Sequence, residues 1–128
     1  MALALDMPIL VVDDYKTMTR ILQNLLKSLG FTNLHEAACG EEALKMVKAS
    51  SFGLVVSDWY MEPMSGLELL TAIRADPALK STPFIMVTAE AKTENVITAK
   101  HAGVDNYIVK PFNAPTLKAK IAAVLGEF

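Results

Sequence analysis

The chain has 128 residues, of which 52% are hydrophobic and 20% are charged, and this balance is typical of one globular domain and excludes a disordered chain. A formal net charge of -2 argues against general affinity for nucleic acid or for an anionic membrane surface. Cys39 is the only cysteine, which excludes an internal disulfide and a metal site built from cysteines.

The first third of the chain predicts two strands, each followed by a helix. The opening MALALDM has no basic region and too few apolar residues for a signal peptide or a membrane span, so we expect a cytoplasmic protein with no membrane contact. Residues 8–12 form a continuous apolar run typical of a buried strand, which ends at Asp13 and Asp14. Apolar residues at three- and four-residue steps then predict a helix from Tyr15 to Gly30. A weaker strand at the sheet edge is predicted over residues 34–38 and a helix over residues 41–48.

The segment 52–66, FGLVVSDWYMEPMSG, is the part of the chain around which we expect the fold to be organised. Residues 54–56 are a short β-branched run typical of a buried parallel strand, and the run ends at Ser57 and Asp58. A loop with proline and glycine follows. A carboxylate at the carboxyl end of such a strand lies where open α/β sheets place their ligand chemistry.

The remaining elements continue the alternation of strands and helices. They are predicted as a helix over 66–75, a strand over 83–87 that ends at Thr88, a helix over 94–102 closed by Gly103, a strand over 107–109 that ends at Lys110, and a helix over 117–125. Short strands alternating with helices predict βαβ units, a parallel sheet and right-handed crossovers. We therefore expect a doubly wound α/β fold in a single domain over residues 1–128, with no output domain.

Polar side chains follow four of the predicted strands. The carboxyl ends of parallel strands share one edge of a sheet, so these side chains should converge: Asp13, Asp14, Asp58, Thr88 and Lys110. Three close carboxylates repel one another unless a cation is present, and carboxylate and carbonyl oxygens suit Mg²⁺. A lysine and a hydroxyl are suited to holding phosphoryl oxygens. The set can therefore form an aspartyl phosphate.

Four segments carry a family resemblance. VVDD near the start, DW after the third strand, VTAEAK after the fourth and YIVKPF after the fifth resemble the receiver domain of two-component response regulators, and most closely the single-domain chemotaxis regulators. The resemblance runs from about Pro8 to the end of the chain. It implies a flavodoxin-like (βα)5 fold whose five-stranded parallel sheet has the order 2-1-3-4-5.

The resemblance also implies a role for each residue at the predicted site. Asp58 would accept a phosphoryl group from a histidine kinase. Asp14 and Asp58 would bind Mg²⁺ directly, Asp13 through water, and the backbone carbonyl of Tyr60 would be a further ligand. Thr88 and Lys110 would bind the phosphoryl oxygens, and the Lys110–Pro111 bond would be cis.

The resemblance implies that phosphorylation changes the shape of a surface that binds a partner protein. Thr88 would move toward the phosphoryl group and Tyr107 would swing inward, reshaping a face that includes Lys92, Lys118 and Lys120. A flagellar motor switch protein is the partner that the resemblance suggests, bound by a monomer. Output through a phosphorelay or through regulation of a kinase stays open.

Two positions depart from the pattern of the chemotaxis regulators. The second residue after the acceptor is usually small and polar, and here it is Tyr60. We expect its bulk to slow loss of the phosphoryl group, with Glu90 as the other local influence. The family's Met-Pro becomes Met-Glu-Pro, which shifts the proline to Pro63 and places Glu62 near the metal site as a rim charge or a water-mediated contact.

Each assignment also has an ordinary structural alternative. Asp14 could cap the following helix, Thr88 could bond backbone, Lys110 could be a solvated surface lysine, and Tyr107 could be a packed strand-end side chain. Two other functions compete: a phosphohydrolase of the haloacid-dehalogenase kind, and a scaffold of receiver fold that is never phosphorylated. The first requires a second Asp where Tyr60 stands, and the intact set of site residues argues against the second.

Overall fold

Five strands and five helices alternate along the chain, as the sequence predicts. The computed structural model describes residues 4–89, 92–110 and 112–126. The strands are β1 (Ile9–Val12), β2 (Leu34–Ala37), β3 (Leu54–Asp58), β4 (Phe84–Thr88) and β5 (Asn106–Val109). The helices are α1 (Lys16–Ser28), α2 (Gly40–Ala49), α3 (Gly66–Ala75), α4 (Thr93–Ala102) and α5 (Ala114–Leu125). Among the residues described, no helix has the length and apolar content needed to cross a membrane.

The strands form one parallel sheet in the order β2-β1-β3-β4-β5, which confirms the predicted order. The chain winds outward in opposite directions from β1 and β3, so a topological switch point lies between these two strands. Val12 of β1 pairs with Ser57 of β3, and Asp58 pairs with Val87 of β4. This register brings the residue after β1 and the last residue of β3 to the same level of the sheet edge.

Each face of the sheet is covered by its own set of helices. Apolar residues from α2, α3 and α4 pack on one face together with alternate strand residues such as Leu10 and Val55. Residues from α1 and α5 pack on the other face with Ile9 and Val11. Because side chains alternate across a strand, a run that is apolar at every position is what a sheet covered on both faces requires.

Two differences from the prediction at helix starts have an identifiable cause, and the other helix ends agree with it to within two residues. Helix α5 begins at Ala114 and not at residue 117, because the Asn113 side chain accepts a hydrogen bond from the Thr116 amide and a proline is tolerated in a first turn. Asp14 is not the cap of α1: the N-cap position is Tyr15, whose amide donates to Asp13 Oδ1 at 2.9 Å. This hydrogen bond orients a carboxylate of the site.

The loops contain a left-handed glycine and a cis peptide bond. Gly30 follows the end of α1 with φ of 106°, a left-handed conformation that favours glycine, as expected. The peptide bond between Glu62 and Pro63 is cis. The bond expected to be cis, between Lys110 and Pro111, lies outside the described residues.

Helix α3 begins directly against the backbone of Asp58. A capping box between Ser65 and Glu68 fixes its first turn, and the Gly66 amide donates to the Trp59 carbonyl at 2.8 Å. A Cβ atom at Gly66 would collide with the Asp58 carbonyl oxygen and approach the Met86 sulfur at 2.9 Å. Glycine at this position therefore allows the helix to support the loop after β3.

Replacing Gly66 with alanine should lower the free energy of unfolding by about 1–3 kcal/mol, because the added methyl group meets rigid backbone. Gly53→Ala is the matched control, since its Cβ would approach the flexible Met7 sulfur at 2.8 Å and that side chain can move. Urea-induced unfolding measures both. Equal losses of unfolding free energy in the two variants would show that the close approach of Gly66 to the Asp58 backbone makes no specific contribution to stability.

Candidate functional site

Residues from four strand ends meet at one edge of the sheet. Lys110, after β5, places Nζ 3.1 Å from Asp58 Oδ1 and 3.5 Å from Asp13 Oδ2. One carboxylate oxygen each from Asp13, Asp14 and Asp58 lies within 4.8 Å of the others. Thr88 is fully buried at the end of β4. Its carbonyl accepts a hydrogen bond from the Lys110 amide at 2.8 Å, so the backbones of these two residues are adjacent.

The two carboxylates nearest the lysine are buried. Asp13 is 3% exposed and Asp58 is 8% exposed, whereas Asp14 is open to solvent. Asp13 Oδ1 accepts the Tyr15 amide, but its Oδ2 accepts no hydrogen bond from the described residues and has only the ion pair with Lys110. A buried carboxylate oxygen without a hydrogen bond is costly, so the site favours an additional positive group.

Burial is also the largest influence on how these carboxyl groups titrate. Loss of water raises the pKa of Asp13, and the neighbouring Asp58 and Asp14 raise it further, while the Tyr15 amide and Lys110 act in the opposite direction. Burial likewise raises the pKa of Asp58 against the opposing hydrogen bond from Lys110. The positive charge of Lys110 therefore does not fully offset the loss of water around Asp13 and Asp58 and the repulsion from Asp14.

The donor set fits a divalent cation that prefers oxygen ligands. Asp13 Oδ2 is available, and the three clustered oxygens are hard ligands of the type that Mg²⁺ binds. The next oxygen along the loop belongs to Tyr60. The Trp59 carbonyl is engaged by the Gly66 amide, whereas the Tyr60 carbonyl accepts no hydrogen bond from the part of the chain described. The residues present could therefore hold Mg²⁺.

Tyr107 lies on the edge strand β5, two residue pairs before the pair that Thr88 forms with Val109. It is half-buried on β5, opposite Met86, and its ring meets that of Trp59 edge-on at a centroid distance of 6.2 Å. Trp59 is 8% exposed and also stacks on Tyr60, so its ring is buried between the two tyrosines.

The other predicted residues lie apart from the carboxylate cluster. Lys92 and Lys118 are exposed at the start of α4 and on α5, and Lys120 is half-buried on α5 with its carbonyl accepting from the Asn106 side chain. Glu90, expected to influence loss of the phosphoryl group, lies outside the described residues.

Sequence reasoning assigned no role to Ser57, which the structure buries completely next to Asp58. Its hydroxyl donates to the Asp58 carbonyl at 2.9 Å, the same oxygen that Gly66 approaches. A polar residue inside an otherwise apolar strand was the available signal. Its partner could not be read from the sequence, because a serine hydroxyl bonds whichever acceptor packing brings near.

A comparison with family models identifies the group to which this arrangement belongs. Residues 9–122 match the model described as the response regulator receiver domain. The chain belongs to the response regulator receiver family. The match covers all five strands, so it includes every strand end that contributes to the site.

Individual receivers are similar over almost their whole length. The chain is 55% identical over 116 residues to chemotaxis protein CheY-3 of Vibrio cholerae, covering 91% of this chain and 89% of that one. Among solved structures, CheY4 of Vibrio cholerae matches with a TM-score of 0.87 and 32% identity, covering 94% and 99% of the two chains. The receiver domain of the sensor histidine kinase PA1611 from Pseudomonas aeruginosa, described with magnesium in its active site cleft, matches in fold with a TM-score of 0.85 and 24% identity, covering 95% and 99%.

Asp13→Asn should raise the free energy of unfolding by about 1–2 kcal/mol at neutral pH in the presence of a chelator, because it removes a buried charge that one lysine only partly offsets. The folded pKa of Asp13 lies above its ordinary value, so the wild-type protein gains stability as the pH falls. The difference in unfolding free energy between Asp13→Asn and the wild type should therefore be largest at neutral pH and become smaller at acidic pH.

Chemical unfolding across a pH series measures this difference. Asp6→Asn, an exposed carboxylate outside the cluster, is the control and should change stability little at any pH. A destabilised Asp13→Asn variant at neutral pH would show that the carboxylate is satisfied without a metal.

Proposed function

We propose that this receiver is a phosphorylation-activated response regulator that accepts a phosphoryl group on Asp58 from a histidine kinase, with Mg²⁺ bound. One observation carries the proposal: Asp58 ends the central strand with Lys110 at 3.1 Å and two further carboxylates within 4.8 Å. A solvated loop carboxylate needs no such surroundings. A nucleophilic carboxylate does, because it must be held in place and its charge balanced during transfer.

The metal would be held by Asp14, Asp58 and the Tyr60 carbonyl, with Asp13 acting through water. When bound, Mg²⁺ would offset the charge of the carboxylates and of the transferring phosphoryl oxygens. The Asp13 oxygen that accepts no hydrogen bond from the described residues and the engaged Trp59 carbonyl support this choice of ligands.

The chain's own groups would carry the rest of the transfer. A carboxylate oxygen of Asp58 forms the new bond to phosphorus while the bond from phosphorus to the donor nitrogen breaks, and its electron pair returns to the donor ring. Lys110, already bonded to Asp58 Oδ1, would hold a phosphoryl oxygen, and the Thr88 hydroxyl would hold another. Lys110 would be in place before the donor arrives, which limits reorganisation during the step.

Phosphorylation at this edge of the sheet would change the shape of a surface that binds a partner protein. Thr88 would move toward the phosphoryl group and Tyr107 would turn inward against Trp59, changing the face near Lys92, Lys118 and Lys120. The similarity to CheY-3 and to CheY4 supports a role in chemotaxis, with a flagellar motor switch protein as the partner. Lysines at this face suit a partner segment that carries acidic residues.

Fluorescence of Trp59, the single tryptophan, should change on titration with Mg²⁺ and again on addition of acetyl phosphate. Asp58→Asn should abolish the second change and block transfer of label from radiolabelled acetyl phosphate. Because burial raises the pKa values of Asp13 and Asp58, Mg²⁺ affinity should weaken as the pH falls and these groups bind protons. Label incorporated into Asp58→Asn at the wild-type rate would refute the assignment of the acceptor.

Tyr60→Asn should speed loss of the phosphoryl group several-fold, because the bulky ring stands two residues from the acceptor and is 53% exposed beside the route of hydrolytic water. The decay of labelled protein after removal of the donor measures the rate. Tyr60→Phe keeps the bulk and should decay as the wild type does. An unchanged rate in Tyr60→Asn would reject a role for this side chain in hydrolysis.

A further inference from the structure

Arg74, near the C-terminal end of α3, joins the two segments that lead into β4 and β5. Before β5, its Nε donates to the Gly103 carbonyl at 2.9 Å and its Nη2 donates to Asp105 Oδ2 at 2.9 Å. Before β4, its Nη1 donates to the Thr82 carbonyl at 2.6 Å and to the Lys80 carbonyl at 3.1 Å. Because a guanidinium group carries its donors in one rigid plane, these bonds fix the two segments relative to each other.

Asp105 fixes the start of β5 against the start of β4. Its amide donates to the Phe84 carbonyl at 3.0 Å, and its Oδ2 accepts from the Phe84 amide at 2.8 Å. The same oxygen is the one that Arg74 bonds. Hydrogen bonds in both directions with one residue permit a single alignment of the two strands, in which Ile85 pairs with Asn106.

Strand β5 depends on such an alignment because it lies at the edge of the sheet. It has four residues and pairs with β4 alone among the described strands. A strand with one neighbour is held by fewer ladder hydrogen bonds than a central strand. A shift by one residue would move Lys110 by about 3.3 Å along the strand and would turn Tyr107 to the other face of the sheet.

The position of β5 decides how closely Lys110 approaches the carboxylates. Lys110 directly follows β5, and its Nζ lies 3.1 Å from Asp58 Oδ1 and 3.5 Å from Asp13 Oδ2. The two carboxylates belong to the ends of β1 and β3, which pair with each other in the interior of the sheet. A displacement of β5 would therefore move the lysine and leave the carboxylates together.

We propose that Arg74 and Asp105 are positioning residues for phosphoryl transfer: from the amino ends of the strands they set the position of β5 along β4, and so hold Lys110 Nζ beside Asp58. The inference rests on the proposed function, because that function assigns Lys110 to the phosphoryl group. Neither residue touches the reacting atoms. They act through the strand, and transfer is sensitive to small displacements of a group that must meet the phosphoryl oxygens.

Displacement of Lys110 should affect phosphorylation and metal binding in opposite directions. The lysine would hold a phosphoryl oxygen, so its loss from this position slows transfer. Its positive charge also repels a cation at the same carboxylates, so its withdrawal leaves Mg²⁺ bound at least as tightly as before. A general loss of folded structure would instead weaken both.

The test uses Arg74→Gln and Asp105→Ala in the full chain. Each should lower the bimolecular rate constant for acetyl phosphate at saturating Mg²⁺ by about three- to tenfold. The time course of Trp59 fluorescence gives this rate constant, and incorporation of label checks it. The Kd for Mg²⁺, measured by Trp59 fluorescence without a donor, should equal the wild-type value or fall below it.

A Lys110→Ala background tests whether the pair acts through the lysine. Introduced into that background, Arg74→Gln should slow phosphorylation by less than about twofold, because the group that it positions is already absent. An undiminished effect of Arg74→Gln in that background would reject the inference.

Two control variants separate the proposed role from unrelated changes. Arg20→Gln makes the same chemical change at an exposed position on α1 and should alter neither the rate constant nor the Kd. Val47→Ala removes buried side-chain volume from α2, which packs against β1 and β2, and so lowers stability without changing the contacts of Arg74. It should keep both wild-type values at a temperature where circular dichroism shows every variant to be folded.

The outcomes separate this inference from the proposed function. Wild-type rates in Arg74→Gln and Asp105→Ala, or a parallel loss of phosphorylation and Mg²⁺ affinity, would reject a positioning role. If the wild-type chain does not react with acetyl phosphate although Trp59 reports Mg²⁺ binding, the proposed function fails and this inference fails with it. Slower phosphorylation with unimpaired Mg²⁺ binding, suppressed in the Lys110→Ala background, establishes the role of the pair.

Discussion

The burial of negative charge at one edge of the sheet is the constraint on which the rest of this molecule depends. Two carboxylates are almost completely removed from water beside a third, and one lysine reaches both of them at 3.1 and 3.5 Å. Such an arrangement costs stability unless another positive group completes it. A bound divalent cation would complete this charge balance.

The scaffold around Asp58 holds this charge in place through its backbone. The Ser57 hydroxyl and the start of α3 at Gly66 meet the Asp58 carbonyl oxygen, and the Trp59 amide donates to the Val87 carbonyl at 3.1 Å. Together these contacts of the backbone hold the end of β3 and the start of the following loop in place.

Trp59 lies between the loop after β3 and strand β5. Its ring contacts those of Tyr60 in the loop and Tyr107 on β5, with a centroid distance of 6.2 Å in each pair. A conformational change in the loop after β3 and a conformational change at β5 would therefore both involve the buried side chain of Trp59. Tyr60 and Glu62, the departures from the family pattern, lie in the loop after β3 and leave the strand-end residues intact.

The sequence by itself determined the alternation of elements, the parallel sheet, and which side chains follow the strands, since runs apolar at every position are needed only where both faces of a sheet are covered. The convergence of Asp13, Asp58 and Lys110 followed from that topology. Only the tertiary structure decided that Asp13 and not Asp14 bonds the start of α1, and that Tyr60 stacks on a buried Trp59. These facts depend on side-chain directions and on packing between segments distant in the chain, which local residue preferences do not specify.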